Sequence, residues 1–449
     1  MKGSIAKLLK SNALISLFGN GASAVLGVLM LGLFARWLPK EVFGQWMLFL
    51  TSWTFFDSFR TGFLLNALIR HSAGIETESD YQKWAGAIWQ LAVGFTLLVV
   101  TVMYAALVGM PAIAQWLGTV ESMNWFALLA VVSLPHTIAG WLLQSRSQFL
   151  PVQWIRVFTQ LFFLIFTATA YFIHQPLDLL TICAFYTLSN ALVSLWAIIV
   201  GWSKIKLFNQ GSAHERSQLL QYGKYGTGVL IGMNVLRTAD IFIVGSFIGP
   251  AAVASYTIPQ RFIQLLEIPV RSIVITSAPK LAELHQRHQS QALVDYFHKS
   301  AGRLWFMLLP VALVGFIFAK PLVGFLGGSQ YTDSALIMRI FMLQGLLIPL
   351  ERYSGVSLDA IGYPKGNLIK VVVMMALSII GNLVAVLVFQ SVVLAAVTSS
   401  FTFLCGLILG FSLMKQKIPV RMRESLAAGW RELRFIINQL KNDRLRRTT

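Results

Sequence analysis

Five arginines lie well inside long apolar stretches of this 449-residue chain: Arg60, Arg237, Arg261, Arg271 and Arg339. Three carboxylates, Asp57, Asp240 and Glu267, lie at similar depth. An arginine at the centre of a bilayer helix costs roughly 2.5–3.5 kcal/mol on insertion scales. Five of them therefore imply a wet interior rather than contact with lipid. Five cations against three anions leave a surplus of two positive charges, with Glu351 and its neighbour Arg352 set aside together at a helix end. A guanidinium is a planar fork that matches phosphate oxygens and stays charged when partly desolvated. The chemistry these residues point to is recognition of an anion.

Spacing adds detail. Asp57 and Arg60 are three residues apart, as are Arg237 and Asp240, and Glu267 precedes Arg271 by four. Such offsets put two charges on one helical face. Arg60, Arg237, Arg261 and Arg271 are the expected substrate contacts; Asp57, Asp240 and Glu267 orient them as ion-pair carboxylates. Asp240 could also titrate and couple transport to protons or sodium. Arg271 and Arg339 lie nearer the two surfaces, where such side chains snorkel.

The elements that position these residues are membrane helices. The chain is 56% hydrophobic and 12% charged, against about 25% charged for a soluble globule. Apolar windows of about twenty residues predict spans near 12–36, 43–69, 84–109, 124–145, 153–173 and 178–201. A second set falls near 225–248, 252–278, 303–326, 334–357, 366–389 and 392–414. The first reads as a retained span, not a cleaved signal. Of the 36 Lys and Arg residues, 28 fall on one side of these spans, three on the other (Arg36, Lys40, Lys320) and five inside. The basic side is cytoplasmic, which places both termini there. This bias accounts for most of the net charge of +18 without nucleic acid. The longest external connection, near 110–124, has no room for a soluble domain.

Sliding the chain on itself by about 210 residues superimposes the two sets of spans. Residues 33–46 fall on 243–256: each is a helix end, a turn with Pro39 or Pro250, then Trp46 or Tyr256 in the next helix. At the same offset Asp57 falls on Glu267, and Arg60 lies one position from Arg271. Six spans is an even number, so the repeat is parallel. The expected divisions are an N-lobe at 1–210, a C-lobe at 211–420 and a tail at 421–449. In the tail, Leu426, Trp430, Leu433, Ile437 and Leu440 form an apolar stripe on a basic helix, suited to anionic lipids of the inner leaflet. Cys183 and Cys405 fit no metal spacing, and the sequence shows no phosphate loop or nucleophile motif. A metal site, a cofactor and enzymatic activity are not expected.

Twelve spans in two parallel halves, the turn 247–256, Pro269 and the run Ala278-Pro279-Lys280-Leu281 resemble the MOP exporter superfamily. The nearest resemblance is to its polysaccharide-transporter branch, the Wzx-type flippases. The resemblance implies an all-α membrane protein with two six-helix lobes around a central cavity. It implies a monomer in the bacterial inner membrane that moves an undecaprenyl-pyrophosphate-linked oligosaccharide by alternating access, alongside polysaccharide-assembly proteins. Two alternatives are a MATE-type exporter of organic cations, which would prefer a net negative cavity, and a glycan polymerase or ligase, which would carry a larger external loop.

Overall fold

Lipid offers no partner to backbone N–H and C=O groups, and a helix satisfies them within its own segment. The computed structural model describes residues 12–72, 77–109, 120–432 and 434. The first half contains α1 (Asn12–Trp37), α2 (Lys40–Ser72), α3 (Glu78–Gly109), α4 (Val120–Val132), α5 (Leu134–Ser145), α6 (Phe149–Phe172) and α7 (Leu179–Ile199). The second contains α8 (Ala213–Phe247), α9 (Pro250–Gln286), α10 (Ser290–Ile317), the short α11 (Ala319–Gly327), α12 (Ala335–Ala360), α13 (Pro364–Leu387) and α14 (Val392–Lys415). A further helix, α15, covers 422–432.

With α4 and α5 taken as one bent element, the long helices fall where the twelve windows predict them. Among the described residues, eight helices are long and apolar enough to cross a membrane, and the α4–α5 pair makes a ninth. α2 and α8 are outside that set. They are the helices that carry Asp57 and Arg60, and Arg237 and Asp240.

Contacts gather Met1–Asn234 into one compact unit and Val235–Thr449 into another. The division falls within α8, whose Leu219 is buried in the core of the first unit. In the first unit, α4 and α5 meet at Ser133 with a 41° bend. Pro135 has no N–H to give to the preceding turn, so the helix breaks there. The segment after α7 is strapped to α3, where Trp89 Nε1 donates to Ser203 O at 2.7 Å and Gln90 Nε2 to Phe208 O at 2.8 Å.

In the second unit, α9 packs on α12, and α12 packs on α14. Gly345 of α12 permits the first contact, since a Cβ there would sit 2.8 Å from Leu266 Cδ1. The described part of the tail, α15, docks on α10 through small residues: Gly429 meets Gly302, and His298 Nδ1 lies 2.7 Å from Ser425 Oγ. Trp430 stays largely exposed. Leu433, Ile437 and Leu440 lie outside the described residues.

Candidate functional site

The first unit holds Asp57 and Arg60 on one side of α2, as their spacing requires. Arg60 Nη2 donates to Asp57 Oδ1 at 2.8 Å. Nη1 reaches Thr96 Oγ1 (3.4 Å) and Ala130 O (3.3 Å), and Nη2 also reaches Ser133 Oγ (3.2 Å) and Thr137 Oγ1 (3.3 Å). The last three acceptors flank the break between α4 and α5. Rings of Phe56, Trp53 and Trp141 lie 5.1, 5.9 and 6.0 Å from the guanidinium carbon. Arg60 has no exposed surface, whereas Asp57 is partly exposed. The guanidinium therefore closes the polar groups that a broken helix leaves open.

The second unit arranges its charges differently. Arg237 and Asp240 are neighbours on α8 but take separate partners. Arg237 Nη2 crosses to Glu267 Oε2 at 3.3 Å. Glu267 stands at the middle of α9, 12% exposed, and also receives Arg271 from the next turn and Arg352 from α12 at 3.6 Å. Three guanidiniums thus surround one carboxylate, a local charge of +2. Each guanidinium has five N–H donors and a carboxylate about four acceptor sites. Glu267 alone cannot engage them all, and Arg237 and Arg271 are 44% and 46% exposed. The arrangement can receive an anion with several oxygens.

Behind this cluster lies a buried relay. Arg352 Nε faces Glu351 Oε2 at 3.7 Å, and Lys370 Nζ of α13 donates to Glu351 Oε1 at 2.7 Å. Lys370 also donates to Glu351 O (3.2 Å) and Ser354 Oγ (3.4 Å). Glu351 and Lys370 are both buried. Gly355 makes space for the lysine, since a Cβ there would lie 2.8 Å from Nζ. With Arg352 and Lys370 included, four cations meet two carboxylates. Neither the relay nor its link to Glu267 is among the sequence-derived site residues. In the sequence Glu351 and Arg352 are adjacent at a helix end and stand apart from the other charges together, yet adjacent helical residues do not face each other. That rule is the signal that could have brought them in.

Removing one partner of a buried pair leaves the other charge uncompensated. Lys370→Met is expected to lower stability by about 3 kcal/mol. Glu351→Met combined with Lys370→Met should recover most of that loss, because a packed apolar pair is often no worse than a buried ion pair. Thermal unfolding of the purified variants checks this, and a double variant weaker than either single would refute it.

Asp240 is buried with uncharged partners. Tyr256 OH donates to Oδ2 at 2.6 Å, Gln260 Nε2 to Oδ2 at 3.3 Å and the Ile241 amide to Oδ1 at 2.9 Å. Ser399 Oγ of α14 lies 3.3 Å from the same tyrosine hydroxyl. Among the described residues Asp240 makes no ion pair. Arg261 donates to Gln264 Oε1 of its own helix at 2.9 Å and joins no carboxylate among the described residues. Arg339 is exposed near the start of α12. The structure thus brings Arg237, Glu267 and Arg271 together, and keeps Arg261, Arg339 and Asp240 out of their ion-pair cluster.

Comparison with known proteins adds two family matches by sequence. One, described as polysaccharide biosynthesis protein, covers residues 9–285, and the other, MatE, covers 228–384. No curated protein matches the chain. Among solved structures, lipid II flippase MurJ in an inward closed conformation is similar with a TM-score of 0.72 at 14% identity, over 95% of this chain and 93% of that one. An inward-facing multidrug resistance MATE family transporter of the MOP superfamily gives 0.70 at 14% identity, over 88% and 96%. The Vibrio cholerae MATE transporter VcmN gives 0.57 at 14% identity, over 96% and 98%. At these identities the likeness is one of fold.

Proposed function

This chain belongs to the polysaccharide biosynthesis protein family, and from that premise we propose that it flips an undecaprenyl-pyrophosphate-linked oligosaccharide repeat unit across the bacterial inner membrane by alternating access. It is a multi-pass membrane protein with the fold of MOP-superfamily transporters. The observation that carries the reading is the cluster on Glu267, with two half-exposed guanidiniums and a local charge of +2. A lipid pyrophosphate brings two phosphates that need compensation once water is partly removed. Forked guanidiniums supply it in bidentate form. An organic cation would meet unfavourable potential from the same surplus.

In this reading Arg237 and Arg271 grip the pyrophosphate, and Glu267 holds their forks in place. Arg261 adds a contact along the headgroup. Both termini are cytoplasmic, the transporter is a monomer that works without a cofactor, and no covalent bond is made or broken. The product feeds O-antigen or exopolysaccharide synthesis. A lipid II flippase is among the similar structures, which agrees with lipid translocation on this fold.

The uncharged surroundings of Asp240 support a second role, as the carboxylate that binds a coupling proton or sodium ion. Asp240→Asn should then leave headgroup binding unchanged while transport loses its dependence on an ion gradient. The full chain in proteoliposomes tests both ideas. Flipping of a polyprenyl-pyrophosphate oligosaccharide, weakened by high salt, is expected, with no saturable uptake of ethidium. Saturable ethidium transport abolished by Asp240→Asn, without glycolipid flipping, would make a MATE-type exporter the better reading.

A further inference from the structure

Within the first unit, the start of α3, the α5–α6 turn and the segment leaving α7 enclose a pocket of about 240 Å³. Arg146 and Lys204 supply two cations to its wall, Tyr81 and Trp202 two rings, and Gln148 an amide. Arg146 lies with its guanidinium carbon 3.6 Å from the centre of the Tyr81 ring and pairs at 2.6 Å with Glu78, an exposed carboxylate. Lys204 makes no ion pair among the described residues. Two cations and one carboxylate leave a charge of +1, which matches one phosphodiester rather than a pyrophosphate.

The pocket is held open by its own framework. Trp89 and Gln90 of α3 fix the chain on either side of Lys204 through the carbonyls of Ser203 and Phe208. The segment closes on α3 so tightly that Gly86 meets Gly211 without space for a side chain. Volume also selects the ligand: drug-sized sites are roughly 300–1,000 Å³, so this one admits a headgroup and leaves long chains outside. An apolar path leads away from it. Leu188, Leu195 and Ile199 are exposed on one face of α7, and exposed Val200 forms the lip of the pocket. Basic pockets among membrane helices on the cytoplasmic side suit lipid headgroups, and Trp and Tyr favour that interface.

We propose that this pocket binds one anionic glycerophospholipid, with its phosphate between Arg146 and Lys204, its glycerol region against Tyr81 and Trp202, and an acyl chain along the Leu188–Leu195–Ile199 face. The site is independent of the transport reading, so it stands or falls on binding alone. Phosphate chemistry could also come from a soluble ester, and the experiment separates the two sources.

The test is native mass spectrometry of the full chain in detergent, titrated with phosphatidylglycerol, with phosphatidylcholine of the same chains, and with glycerol phosphate. One phosphatidylglycerol should bind more tightly than any further copy, phosphatidylcholine much more weakly, and glycerol phosphate not measurably. A charge near the membrane surface contributes enough that Lys204→Gln should weaken that first lipid about fivefold and Arg146→Gln with Lys204→Gln about 20-fold. Lys204 is exposed, so the single variant keeps its fold, and lipids bound at the basic tail serve as an internal reference. Equal affinity in wild type and both variants overturns the proposal. Phosphatidylcholine binding as well as phosphatidylglycerol overturns the anion requirement, and glycerol phosphate binding as tightly as the lipid overturns the lipid.

Discussion

Arg237→Gln combined with Arg271→Gln is expected to abolish glycolipid flipping and weaken polyprenyl-pyrophosphate binding by at least about 100-fold. Hydrogen bonds to a charged group are worth about 1.5–3 kcal/mol each, and each 1.4 kcal/mol is tenfold in affinity. Two lost contacts therefore remove about two to four powers of ten. Both side chains are close to half exposed, and substitutions at such positions usually change stability by less than about 0.5 kcal/mol. Glu267 keeps Arg352 as its partner in the double variant, so it is not left as a bare charge. Either arginine changed to lysine should restore part of the affinity, since charge returns without the fork. Binding is read by titration of purified protein and flipping in proteoliposomes. A double variant that unfolds no earlier than wild type, yet binds and flips normally, would remove the anion cluster from the mechanism.

The matched pairs show how far the residue pattern carries. Asp57 with Arg60, and Glu267 with Arg271, occupy corresponding places in the two halves, and their spacing puts each pair on one helical face. That much follows from helical periodicity. Their surroundings do not, because partners arrive from distant elements. Arg60 is enclosed because α4 and α5 break at Ser133 and present Ala130 O, Ser133 and Thr137. Pro135 marks that break, but window 124–145 carries no Asp, Glu, Lys or Arg and reads as one span. Around Glu267 the extra charges come from α8, thirty residues away in sequence, and from α12. Lys370 reads as a cation near the basic end of window 366–389, and the room left by Gly355 and Gly410 lets it become a buried partner of Glu351. Helices and same-face pairs were legible; the meeting of different helices was not.

Arg60→Ala should therefore act on folding before it acts on transport. The change empties a fully buried space between three aromatic rings and leaves Ala130 O, Ser133, Thr137 and Thr96 without the donor they share. Losing a buried ionic partner costs roughly 3–5 kcal/mol, and each buried polar group left unmade adds about 1–3 kcal/mol. Asp57 softens the loss, being partly exposed and able to turn to water. The total is still expected to reach about 4 kcal/mol, a large share of the 5–15 kcal/mol that holds a typical domain together. Arg60→Lys should recover a minor part, because an ammonium has three donors where the guanidinium reaches five acceptors across two helices and the break. A direct substrate contact predicts the opposite pattern: normal unfolding temperature, lost pyrophosphate affinity and partial rescue of binding by lysine. Thermal unfolding in detergent and pyrophosphate titration on the same preparation distinguish the two. If Arg60→Ala unfolds at the wild-type temperature, the guanidinium is not what holds the break between α4 and α5.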